Sequence, residues 1–203
     1  MFGIEGFILI GGASSRMGTD KAQLRLGDET FVERISNALT MVADKISLVG
    51  SMTKHNEWFL PVVPDVYPGC GALGGVHAAL HWCRAPWAVV VACDLPFVTA
   101  ELLLRLASLA STSENFAAVA PVQNDNRPQP LCALYAREFC LPQAEQLLRS
   151  GERRAHALLR AVPTRWVVFS ELSHLKYSHL FFSNINTPAE YRDACVKVED
   201  NNQ

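Results

Sequence analysis

The run Trp87-Ala88-Val89-Val90-Val91-Ala92 constrains this chain more than any other stretch. It is continuously apolar and rich in β-branched residues, with no polar alternation. That is the pattern of a strand buried on both faces of a parallel sheet, which requires helices packed on either side. The sequence around it supplies them. Gly6–Ile10, Lys45–Val49, Pro61–Val63, Phe116–Pro121, Leu131–Tyr135, Arg165–Phe169 and Phe181–Ile185 read as further extended segments. Helical spacing marks Phe31–Val42, with Phe31, Ile35, Ala38, Leu39 and Val42 on one face, and also Gly75–Cys83. Thr99–Leu109 has Thr99 as its N-cap, and Pro142–Arg149 and Arg153–Ala161 follow. Thr187-Pro188-Ala189-Glu190 is a capping box with proline at the first helical position, opening a helix that runs to about Val196.

This alternation argues for one α/β domain over residues 1–198, a doubly wound, mostly parallel sheet flanked by helices, with a frayed tail at 199–203. A chain of 203 residues, 49% hydrophobic, is long enough for one such core and short for two. The net charge of −2 provides no field of one sign for nucleic acid or an anionic membrane. The six cysteines form no C-x-x-C pair and read as buried thiols of a reducing compartment. The opening MFGIEGFILI lacks a basic n-region, and no apolar run approaches the ~18 residues of a membrane span. The expectation is a cytoplasmic protein.

In sheets of this kind a ligand sits outside the carboxyl ends of the strands. The first strand ends in Gly11-Gly12-Ala13-Ser14-Ser15, with Arg16 and Lys21 just beyond. Glycines there let the backbone approach a ligand closely, and exposed amides attract phosphate. The spacing is neither G-x-G-x-x-G nor G-x-x-x-x-G-K-[ST], which argues against a Rossmann dinucleotide site and a P-loop. Asp65 follows the third extended segment, before a loop with four glycines among Gly69–Gly75. Asp94 ends the most buried strand, and a carboxylate there is costly unless paired or bound to metal. Mg²⁺ in phosphoryl chemistry takes one or two protein carboxylates and completes its shell with phosphate and water. Asn184-Ile185-Asn186 precedes the capped helix. The alternatives are ordinary: a glycine turn with solvated charges, an N-cap at Asp94, and turn chemistry at Asn186. Together the clusters read as a nucleotide site, with phosphates over Gly11–Lys21, metal at Asp94 and Asp65 available to a ribose hydroxyl or a base amino group. His77 and His81 share a helix face but lack H-E-x-x-H, and read as structural.

The segment Leu9-Ile10-Gly11-Gly12-Ala13-Ser14-Ser15-Arg16-Met17-Gly18-Thr19-Asp20-Lys21 resembles the L-x-G-G-x-S-x-R-M-G-x-D-K signature of the molybdenum cofactor guanylyltransferases, the molybdopterin-guanine dinucleotide synthases. The likeness continues through Asp65, Leu73-Gly74-Gly75, Cys93-Asp94-Leu95-Pro96, Gln129-Pro130-Leu131 and Asn184-Ile185-Asn186-Thr187-Pro188. It implies transfer of GMP from GTP to the terminal phosphate of molybdopterin, with or without its molybdenum, with Mg²⁺ assisting and pyrophosphate leaving. By the same resemblance Leu9, Ile10 and Gly11 line the nucleotide and Lys21 holds its phosphates. Asp65 contacts the nucleoside, and Asp94 binds Mg²⁺ and nucleotide. Arg16 is assigned to the leaving pyrophosphate, and Gln129, Asn184 and Asn186 to the pterin side. Gly12 matches the guanine branch, whereas cytidylyltransferase relatives tend to L-A-A-G. Val49-Gly50-Ser51 and Gly71-Ala72-Leu73-Gly74-Gly75 depart from an asparagine and a G-P-L-G-G loop common in the family. The resemblance also implies transient contact with molybdoenzymes or cofactor chaperones. Two other readings stay open: a relative using CTP or a sugar phosphate, and a non-catalytic cofactor carrier.

Overall fold

Strand β1 (Ile4–Leu9) lies near the middle of a seven-stranded sheet. The computed structural model describes residues 3–10, 23–50, 60–112 and 115–201. The other sheet strands are β4 (Lys45–Val49), β5 (Val62–Val63), β6 (Trp87–Ala92), β7 (Ala118–Pro121), β8 (Cys132–Ala136) and β9 (Thr164–Val167), in spatial order β5-β4-β1-β6-β8-β7-β9. β1 pairs in parallel with β4 and with β6, placing Leu9 beside both Val49 and Ala92. Every residue of β6 is buried, as its composition requires. β8 alone runs against its neighbours β6 and β7. The β7–β8 connection, with a bridge between Val122 and Pro128, is too short for the crossover that a parallel return needs. The sheet is therefore mixed, with its parallel half around β1.

Alternation along β1 and β6 divides the core between two layers. Ile4, Ile8, Val89 and Val91 face helices α1 (Phe31–Leu39) and α3 (Ala100–Ser111). Phe7, Leu9, Ala88 and Val90 face α2 (Gly71–Trp82), α4 (Arg137–Arg149) and α5 (His156–Ala161). Each fully buried valine of β6 contributes roughly 1.5–3 kcal/mol of transfer free energy. Thr99 caps α3 as the sequence predicts, its hydroxyl accepting from the Leu102 amide. α1 is opened by a capping box between Thr30 and Glu33. Just before it stands a small hairpin, β2 (Arg25–Leu26) and β3 (Glu29–Thr30), turned at Gly27 with φ +63°. Strands of two residues are too short to leave a period in the sequence.

Several boundaries differ from the sequence reading. Phe181–Ile185 is not a strand. It follows a short 3₁₀ turn at Ser178–Leu180, and its apolar residues Phe181 and Ile185 anchor an irregular segment in the core. α4 starts at Arg137 and keeps Pro142 inside, because Cys140, Ala144 and Leu148 form a buried stripe through that turn. α5 starts at His156, since Arg153 and Arg154 are turned instead toward Glu152. α6 (Pro188–Asn201) runs past Val196. α2 begins at Gly71, so the glycine-rich stretch after Cys70 is helix rather than loop.

All six cysteines are free thiols. Burial pushes Cys83, Cys132 and Cys140 up to about 12, so none of the three is a thiolate nucleophile near neutral pH. Among the described residues no helix is long and apolar enough to cross a membrane.

Candidate active site

Parallel pairing sets four strand ends along one edge of the sheet. The Ile10 amide donates to the Val49 carbonyl and the Cys93 amide to the Leu9 carbonyl, both at 3.0 Å. The Gly50 amide donates to the Val63 carbonyl at 3.0 Å, which places Pro64-Asp65 next along that edge. Because β8 is reversed, its entry rather than its exit joins them: the Ala92 amide donates to Leu131 at 2.9 Å. Gln129-Pro130-Leu131 thus stands beside the end of β6. The Ile185 amide donates to the Asp94 carbonyl at 3.1 Å and ties Asn184-Ile185-Asn186 to the same place. The chain leaves β1 toward β4 on one side and returns to β6 on the other. This is the reversal of winding at which open α/β sheets present a crevice to ligands.

Asp94 is half-buried, directly after the buried Cys93. Asp65 is also half-buried, and burial raises its carboxyl above the ordinary aspartate range. Asn184 is exposed and Asn186 half-buried. The predicted capping box is present: Glu190 Oε2 accepts from the amides of Asn186 at 2.7 Å and Thr187 at 2.9 Å, and Thr187 Oγ1 accepts from Glu190 at 3.2 Å. The Asn186 backbone is thereby fixed against the head of α6. Gln129 is buried, its amide donating to the Pro121 carbonyl at 2.9 Å. Leu9 and Ile10 are buried with their side chains in opposite core layers, which leaves the backbone at the end of β1 as the part that can meet a ligand. Gly11, Gly12, Arg16 and Lys21 lie outside the described residues, between Ile10 and Gln23 in the sequence.

The structure adds one element that the sequence reading did not assign. The head of α2 is held by the Arg153 carbonyl, which accepts from the Leu73 amide at 3.0 Å. Gly71 has φ +62° and lies against that same carbonyl. A Cβ on Gly74 would stand 2.9 Å from Cys70 Cβ and 3.2 Å from the Tyr67 carbonyl oxygen, and one on Gly75 3.1 Å from Leu9 Cδ1. These glycines let α2 pack directly on the Asp65 loop and on the end of β1. His77, on the next turn, is buried with its ring edge-on to Tyr67 at 4.9 Å, in keeping with a structural histidine. Desolvation, with His81 nearby, lowers its pKa, and Glu145 opposes this in part.

No cluster of three or more His, Cys, Asp or Glu side chains suited to a metal occurs among the described residues. A single half-buried carboxylate at a strand end suits a hard cation that takes the rest of its shell from phosphate and water.

Residues 6–166 match the family model described as the MobA-like NTP transferase domain. The chain belongs to this family. A "Probable molybdenum cofactor guanylyltransferase" from Pelotomaculum thermopropionicum is 34% identical over 98% of this chain and 96% of its own. One of the same description from Clostridium perfringens is 32% identical over 95% and 96%. The crystal structure of molybdopterin-guanine dinucleotide biosynthesis protein A from Archaeoglobus fulgidus superposes with a TM-score of 0.81 at 25% identity, covering 97% of this chain and 99% of that one. A nucleotidyl transferase from Methanothermobacter thermautotroptrophicus shares the fold, with a TM-score of 0.75 over 98% of both chains at 15% identity. As a MobA-like NTP transferase, the chain is a nucleotidyltransferase, and the sheet edge ending in Asp94 lies inside the matched region.

Proposed function

We propose that this protein transfers GMP from GTP to the terminal phosphate of molybdopterin, yielding molybdopterin guanine dinucleotide and pyrophosphate. The observation that carries the reading is the convergence at one sheet edge of Asp94, the end of β1 and the Asn184–Asn186 segment, joined through the Ile185–Asp94 backbone bond. The names of the relatives over nearly the whole chain supply the base and the acceptor.

In this reading an oxygen of the pterin phosphate attacks the α-phosphorus of GTP. The new P–O bond forms as the bond to the bridging α–β oxygen breaks, and that oxygen leaves with the electron pair as pyrophosphate. The attacker is already an anion, so no strong general base is required, and the work is positioning and charge stabilisation. Gly11 and Gly12 bring the backbone to the phosphates. Lys21 holds them and Arg16 receives the leaving pyrophosphate. Asp65 orients the nucleoside, and Gln129, Asn184 and Asn186 face the pterin. Asp94 would hold Mg²⁺, which supplies neutralisation of phosphate charge. The substrates are thus GTP and molybdopterin. The product passes in the cytoplasm to molybdoenzymes or cofactor chaperones.

Purified protein given Mg²⁺, GTP and molybdopterin should release pyrophosphate in step with dinucleotide formation. Asp94→Ala should lower turnover by about 10²-fold or more while the fold persists. Turnover unchanged in Asp94→Ala would remove the assigned role. Nucleotide binding with no pyrophosphate release would point instead to a carrier.

A further inference from the structure

At the opposite edge of the sheet, the start of β6 meets the end of β8, with Trp87 and Ala136 as register partners. A cleft of about 580 Å³ opens there. That volume falls within the roughly 300–1,000 Å³ of small-molecule sites. Part of its wall is apolar, from Pro86, Trp87, Phe116 and Phe139. Phe139 is 60% exposed although it stands at this cleft. Its polar and charged lining residues are Arg84, Arg137, Glu138 and Ser111, two cations to one carboxylate.

The Arg84 amide donates to Glu5 Oε2 at 2.9 Å, while the residue itself is exposed. The Arg137 amide donates to the Pro86 carbonyl at 2.9 Å, but its side-chain Nε is buried with no hydrogen-bond partner among the described residues. A buried guanidinium N–H without an acceptor costs free energy, and such groups are rare in folded proteins. An oxyanion is the group that matches a guanidinium fork most closely. Apolar rings beside a cationic pair suit a ligand that is flat and apolar at one end and anionic at the other.

We propose that this cleft is a second ligand site, separate from the transferase edge, for a small aromatic phosphate. Arg84 and Arg137 hold the phosphate oxygens, and Phe116 and Phe139 cover the ring. The site does not rest on the guanylyl-transfer reading, since none of its residues belongs to the strand ends that carry Asp65 and Asp94.

Calorimetry on the intact protein tests this with phenyl phosphate, with inorganic phosphate as the head group alone. With the transferase edge saturated by GTP and Mg²⁺, phenyl phosphate should still bind, with a Kd of about 1 mM or tighter. Inorganic phosphate should bind about tenfold more weakly. Arg84→Gln and Arg137→Gln should each weaken phenyl phosphate by about tenfold, and Phe139→Ala by about threefold, while Asp94→Ala leaves it unchanged. Arg84 and Phe139 are exposed, so those variants test the site even if Arg137→Gln fails to fold. Absence of binding, binding unchanged in Arg84→Gln, equal affinity for inorganic phosphate, or loss in Asp94→Ala would each overturn the proposal.

Discussion

Gly74→Ala sets two well-defined effects against each other. Gly74 lies inside α2, where alanine is favoured over glycine by about 0.5–1 kcal/mol in an open helix. Propensity alone therefore predicts a more stable protein. The surroundings predict the reverse. The added Cβ would stand 2.9 Å from Cys70 Cβ and 3.2 Å from the Tyr67 carbonyl oxygen. Neither is the free end of a flexible side chain, so relief requires the backbone at Tyr67–Cys70 to move. Overpacking of this kind costs about 1–3 kcal/mol. Subtracting the propensity gain leaves a net loss of up to about 2.5 kcal/mol, centred near 1. At about 2–4 °C per kcal/mol for a chain of this size, Tm should fall by a few degrees, and the urea midpoint should fall with the slope unchanged. The displaced segment directly follows Asp65, so KM for nucleotide should rise several-fold with it. Gly75→Ala is the companion: its Cβ would meet only the Leu9 side chain, nearest at Cδ1, 3.1 Å away, and a side-chain end yields more readily than the Tyr67–Cys70 backbone, so the loss should be smaller. A Gly74→Ala protein stabilised by about 1 kcal/mol would refute the packing argument and leave propensity in command.

Two further outcomes follow from burial at the same edge. Burial raises the Asp65 carboxyl, so the folded state holds its proton more tightly than the unfolded chain does; the cost is absent below the ordinary aspartate value and full above the raised one. Asp65→Asn should therefore raise Tm at pH 7, lose that gain as the pH falls to about 4, and weaken nucleotide binding; a lower Tm at pH 7 would contradict the assignment. Desolvation, reinforced by His81, holds His77 below the ordinary histidine value against the opposing Glu145, so stability is retained above about pH 6.5 and lost as the pH falls below it. His77→Phe keeps a ring against Tyr67, and should flatten the decline in Tm between about pH 7 and 5; an unaltered slope would assign the decline to other groups.

The parts of this fold that were legible in the sequence are those written locally. Trp87–Ala92 carries its burial on both faces in its own composition, and Thr99 and Thr187 announce their helices through side chains that cap them. The start of α2 was not legible, because Gly69–Gly75 reads as loop by composition. It is helical where the Arg153 carbonyl, far along the chain, accepts from Leu73, and its Gly74 answers the close packing on Tyr67 and Cys70. The reversal of β8 was hidden for a related reason: buried strands in either direction are continuously apolar. Phe181 and Ile185 are anchors of an irregular segment, and their apolar character alone suggested a strand. At the site, the general rule for strand ends located Asp65 and Asp94, but it could not show that the Leu9 and Ile10 side chains turn into the core. That follows from the pleat, which sends them to opposite layers.

Guanylyl transfer to molybdopterin stands or falls on which base the product carries. Molybdopterin and Mg²⁺ would be incubated with the protein in an equimolar mixture of GTP and CTP, and the dinucleotide product identified by mass. Molybdopterin guanine dinucleotide should be the dominant product, formed with one pyrophosphate for each. A cytosine dinucleotide would keep the fold and the chemistry but contradict the assigned substrate, and no dinucleotide of either base would contradict the reaction itself.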